Sequence, residues 1–100
     1  MPLDDPLLDP DTGKKIDFYK ILGLVTWPGD GEAKKAYYKA AMKLHPDKNR
    51  DDPERADIVF KYLQEAWKTL SDPTERAYYD RNRDLILSGG VEADEFYGVD

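Results

Sequence analysis

The sequence predicts an all-α domain, an antiparallel hairpin of two long helices with short helices flanking it at each end. Three observations carry this. Apolar residues recur at helical intervals over residues 30–44 and again over residues 56–70. A proline-bearing polar break, "HPDKNRDDP", separates the two stretches. No segment alternates convincingly between apolar and polar residues, as a half-buried strand does.

In chain order, residues 1–15 read as a flexible leader, acidic and broken by prolines at positions 2, 6 and 10. In "DFYKILGL", Asp17 is positioned to cap one or two helical turns and Gly23 to close them, with Phe18, Ile21 and Leu22 on one face. "VTWPGDG" is a turn by composition. Ala33, Ala36, Tyr37, Ala40 and Leu44 then form the apolar stripe of an amphipathic helix. Lys35, Lys39 and Lys43 fall opposite that stripe, and Lys34 borders it. Pro46 cannot continue the helix and pushes His45 out of helical angles.

Ala56, Val59, Phe60, Leu63, Ala66, Trp67 and Leu70 alternate steps of three and four, the seam of a helix packed lengthwise on another. The small Ala36 and Ala40 would interlock with Phe60, Leu63 and Trp67. "SDPTER" starts a last helix, with Asp72 as cap and Pro73 first, expected to run from position 73 to about 87. The domain thus spans residues 16–87, and residues 88–100 read as an acidic flexible tail. Ile21, Leu22, Phe60, Leu63, Ala66, Trp67 and Leu70 are the expected core.

Composition narrows the function. A chain of 100 residues supports one small domain. It has no cysteine and a single histidine, which excludes disulfides, thiolate zinc sites and multi-histidine metal sites. No glycine-rich phosphate loop or catalytic constellation can be drawn, so neither an enzyme nor a cofactor is expected. No apolar run is long enough to cross a membrane and the first residues are no signal peptide; the expected location is intracellular, cytoplasmic or nuclear. Between Asp30 and Arg50 six basic residues stand against three acidic ones, inside a chain of net charge −6. A cationic segment on an acidic protein points to a specific acidic partner surface rather than to nucleic acid.

"DFYKILGL", "KKAYYKAAMKLHPDKN" and "FKYLQEAWKTLSDPTERAYYD", in this order and spacing, resemble the J-domain of the DnaJ (heat-shock 40 kDa) co-chaperone family over about residues 17–82. The resemblance implies a J-domain fold and one activity. That activity is binding the 70 kDa heat-shock chaperone, at its nucleotide-binding domain and interdomain linker, and stimulating its ATP hydrolysis in support of protein folding and client loading. His45, Pro46 and Asp47 match the family triplet needed for stimulation. Lys34, Lys39 and Lys43 match basic positions that face the chaperone, and Lys35 lies on the same surface. Tyr37 matches a tyrosine near the docking edge, and Lys48 follows the triplet as in most members.

Tyr38 stands where the family often has a second basic residue, and Val59 where lysine is usual. Each motif also has a plainer reading: the lysines as a solvated face, Tyr37 as core, Asp47 as a cap for the bend. The isolated domain is expected to be monomeric. A scaffold that keeps the fold without stimulating ATPase activity is the alternative.

Overall fold

Proline and cap chemistry set where the helices begin. The computed structural model describes residues 5–88. These contain α1 (Phe18–Ile21), α2 (Asp30–Leu44), α3 (Pro53–Leu70), α4 (Pro73–Arg81) and α5 (Arg83–Leu87), with a 3-10 turn at Pro46–Lys48 between α2 and α3. Both α3 and α4 open with aspartate followed by proline. Asp52 accepts from the Arg55 N–H at 3.1 Å, and Asp72 from the Thr74 N–H at 2.9 Å. Each carboxylate satisfies a donor that the first helical turn leaves open, and each proline has no N–H to lose.

Helix α1 closes as the sequence predicts. Gly23 takes φ 78°, its N–H donates to Lys20 O at 2.9 Å, and the Leu24 N–H donates to Tyr19 O at 2.8 Å. This left-handed closing turn favours glycine because a side chain would crowd the backbone.

The hairpin is antiparallel by its cross-helix contacts. Tyr37 stacks on Trp67 with ring centroids 5.0 Å apart, and the His45 ring meets the edge of Phe60 at 5.3 Å. Moving forward along α2 is thus moving backward along α3. Under this pair, Phe18, Tyr19, Leu22, Leu63, Ala66, Leu70, Tyr79 and Ile86 form the buried core. Ile21, Phe60 and Trp67 are half-buried and pack against it. Each fully buried leucine contributes about 1.5–3 kcal/mol of transfer free energy before chain entropy is subtracted.

Tyr79 is 0% exposed and fastens α4 to α1. Its ring stacks on Phe18 at 4.6 Å. Its hydroxyl accepts from the Phe18 N–H at 3.0 Å and donates to the Asp17 carboxylate at 2.8 Å. Arg83 pairs with the other oxygen of Asp17. Burial pushes the Tyr79 phenol well above its ordinary value, and burial and then Asp80 do the same to Tyr19. Among the described residues no buried side-chain nitrogen or oxygen lacks a partner.

Two regions differ from the simplest reading of the sequence. The single last helix expected over residues 73–87 is two helices, α4 and α5. Asn82 breaks it with φ −110° and ψ 17°, and its side-chain amide donates to Tyr78 O at 3.0 Å. An asparagine side chain that competes for a helix carbonyl is a common reason for such a break.

Residues 5–15, which proline and aspartate content marks as a leader, form a closed loop laid against the domain. Leu8 and Lys15 make an antiparallel bridge, and the Lys15 N–H donates to Leu87 O at 3.2 Å. Asp9 is 4% exposed and accepts from Lys20 Nζ at 2.6 Å and from the Asp11 N–H at 2.9 Å. These two donors hold the Asp9 carboxyl below its usual range, and the carboxylates of Asp9 and then Asp11 raise Lys20. The acidic tail expected at residues 88–100 lies, from residue 89 on, outside the described residues. No helix among the described residues is long and apolar enough to cross a membrane.

Candidate functional site

Helix α2 ends because Pro46 follows His45. His45 takes φ −57° and ψ 138°, the extended conformation imposed before proline, and the chain turns at once into the 3-10 turn. The Lys48 N–H donates to His45 O at 2.9 Å and the Asn49 N–H to Pro46 O at 3.0 Å. His45 Nδ1 accepts from the Asp47 N–H at 3.1 Å. The neutral imidazole therefore carries its proton on Nε2, and Nδ1 is occupied locally.

Two residues that sequence reasoning passed over hold this turn. Asn49 Nδ2 donates to Lys43 O at 3.0 Å and to His45 O at 2.9 Å, covering open carbonyls at the end of α2. Arg50 Nε donates to Asp47 O at 3.0 Å. The signal for Asn49 was present in the sequence, since an asparagine just beyond a helix end commonly bonds back to it. Phe60, assigned to the core, also buttresses the His45 ring from α3.

The side chains nevertheless face outward. That of Asp47 is 80% exposed and that of His45 48%, with the Asp47 carboxylate 3.8 Å from Nδ1. Pro46 is half-buried between them. The result is a turn fixed by six local hydrogen bonds, with the Asp47 carboxylate and much of the His45 imidazole exposed to solvent.

The cationic surface is two rows. Lys35, Lys39 and Lys43 run at intervals of four along one side of α2, all exposed. They edge a groove whose floor is apolar, with Ile21, Leu24, Ala36, Ala40 and Leu44. Lys34 belongs to the adjacent row, its Nζ 5.9 Å from the centroid of the exposed Tyr38 ring. Lys35 approaches Glu32 at 3.7 Å, whereas Lys39 and Lys43 make no ion pair among the described residues. Lys48 is exposed on the turn itself.

The structure thus brings His45, Pro46, Asp47 and Lys48 together in one turn, and Lys39 and Lys43 onto the two helical turns before it. Tyr37 is turned toward α3, half-buried on Trp67, so its ring is an anchor of the hairpin. Trp67 in turn stacks on Trp27 at 6.3 Å, and the Arg76 guanidinium lies 4.2 Å over Trp27. This column of aromatic rings extends through the first loop, whose "TWPG" looked only like a turn.

Among the described residues, then, a mainly helical scaffold holds an exposed, pinned elbow at the end of a lysine-edged helix. Residues 17–80 match the family model of the DnaJ domain, and the chain belongs to that family. It is 49% identical over 76 residues to "DnaJ homolog subfamily C member 21" of Danio rerio, covering 76% of this chain and 14% of that protein. It is 43% identical over 84 residues to "J protein JJJ1" of Saccharomyces cerevisiae, covering 83% of this chain and 14% of that protein. With "Chaperone protein DnaJ" of Methylobacterium nodulans it shares 51% identity over 77 residues, 77% of this chain and 20% of that protein. The matched region is therefore a small part of each of these relatives. No solved structure gives a significant match.

Proposed function

We propose that this domain docks on a 70 kDa heat-shock chaperone and stimulates its ATP hydrolysis, performing no bond chemistry of its own. The observation that carries the reading is the exposed Asp47 carboxylate on a turn held by Asn49, Arg50 and Phe60, one step beyond Lys43. Membership of the DnaJ family and the word chaperone in a relative's name support it.

The division of labour follows from exposure. Exposed lysines, whose field salt attenuates over a Debye length of about 8–10 Å, accelerate encounter more than they strengthen contact. Asp47 can meet a partner arginine as the water between them is expelled, and a charge-assisted bond of that kind contributes about 1.5–3 kcal/mol. The fixed turn lowers the ordering cost on docking. Stimulation requires tighter binding to the chaperone state poised for hydrolysis, since equal affinity for both states would shift nothing. The contact we assign is with the chaperone's nucleotide-binding domain and interdomain linker, made by one copy of this domain.

The test is single-turnover ATP hydrolysis by the chaperone with and without the protein. Acceleration by the wild type that disappears in His45→Gln is the expected result. Binding of the wild type without any acceleration would replace this reading with that of a scaffold that only recruits.

A further inference from the structure

Two segments of the described fold lie outside the family match at residues 17–80: the loop of residues 5–15 and helix α5. They hold each other. The Lys15 N–H donates to Leu87 O at 3.2 Å, at the end of α5. The Leu8–Lys15 bridge and the Ile16 N–H on Leu7 O, at 2.8 Å, carry that contact back to the start of the loop. Next to Leu87, Ile86 is 6% exposed and belongs to the core.

The other end of the loop is anchored on α1 and α3. The Asp9 N–H donates to Lys14 O at 2.7 Å, which closes the loop. The Asp9 side chain, 5% exposed, accepts from Lys20 Nζ at 2.6 Å, and Ile16 O accepts from the Tyr62 hydroxyl at 2.6 Å. Neither segment is self-sufficient. Helix α5 has five residues, far too few to persist on its own hydrogen bonds. The loop contains no helix and only the one bridge. Asp9 makes its release abrupt, because a carboxylate kept buried without Lys20 would be an uncompensated charge.

We propose that the loop and α5 form one latch that opens and closes as a unit. The latch bears on α2, since Asp9, Pro10, Asp11 and Ile16 wall the groove edged by Lys39 and Lys43. Unseating α5 thereby removes a wall beside that helix. A molecule that displaces either segment is felt at the other, with the same coupling in both directions. Only the bearing on chaperone docking rests on the function proposed above; the latch stands apart from it.

Native-state amide exchange in the full chain tests the latch. The amides of Asp9 and Ile16 in the loop and of Ile86 and Ser88 at α5 should share one opening equilibrium. It should be more frequent than the opening seen at Leu63 and Ala66 in α3. Asp9→Ala should speed exchange at Ile86 and Ser88 several-fold, and Ile86→Ala should speed Asp9 and Ile16 by a similar factor. If either variant opens the latch completely, protection is lost in both segments while Leu63 and Ala66 stay protected, the same positive result. Acceleration confined in each variant to the mutated segment makes the two independent and overturns the proposal. So does protection of all four amides equal to that of Leu63 and Ala66, which makes them part of the global fold. No chaperone enters these measurements, so a failed ATPase assay leaves them intact.

Discussion

Around Tyr79 the chain buries what it bonds; from His45 to Arg50 it bonds the backbone and leaves the side chains in water. The Tyr79 hydroxyl joins the Phe18 N–H to the Asp17 carboxylate across 61 and 62 residues of sequence. Every bond of the His45 turn spans six residues or fewer. Long-range buried bonds decide whether the domain folds, because breaking one strands a polar group away from water. Local bonds at an exposed turn decide only the shape of the turn. The contrast shows how a small domain can hold a charged epitope rigidly without spending core on it.

That contrast can be broken at either end. The largest expected effect is at Tyr79. Tyr79→Ala should cost about 3–5 kcal/mol, a large part of the 5–15 kcal/mol typical of a domain. Tyr79→Phe keeps the ring stack but leaves the Phe18 N–H and Asp17 without their shared partner, at about 1–3 kcal/mol. Urea unfolding of both variants separates packing from bonding. A Tyr79→Phe variant as stable as the wild type would remove the hydroxyl from the account.

Smaller effects sharpen the other end. Asn49→Ala removes two bonds to α2 carbonyls and should cost about 1 kcal/mol, with faster amide exchange confined to residues 45–50. Exchange that spreads into α3 would mean that the turn is part of the global unit. Stability also depends on Asp9. Its folded pKa lies below the unfolded value of about 3.9, so its contribution is present above that pH and lost as pH falls through the folded value. Comparing unfolding from pH 6 down to pH 2, Asp9→Asn should be less stable at pH 6 and approach the wild type at the acidic end. A constant gap would dissociate Asp9 from Lys20.

The sequence made the hairpin legible because its signals are local: Asp52-Pro53, Asp72-Pro73, Gly23, and apolar residues at helical steps. Pro46 marked the end of α2 and the exposed triplet for the same reason. The Tyr79–Phe18–Asp17 cluster was not legible, since nothing near Tyr79 in sequence announces a partner sixty residues away. Asp9 was hidden similarly, because an aspartate among prolines gives no sign that a lysine in the first helix will capture it. Asn82 looked like one more polar helix residue until its side chain was seen to take a carbonyl. Lys35, Lys39 and Lys43, expected opposite the apolar stripe, instead edge a groove floored by Ala36, Ala40 and Leu44, which only the packing of α1 beside α2 reveals.

The central claim is that fold and function separate at the elbow, and Asp47→Asn tests it most directly. Its carboxylate is exposed, so unfolding stability should stay within about 0.5 kcal/mol of the wild type. In single-turnover hydrolysis with the chaperone, the same sample should give the unstimulated rate. Full stimulation by a stably folded Asp47→Asn protein would contradict the account.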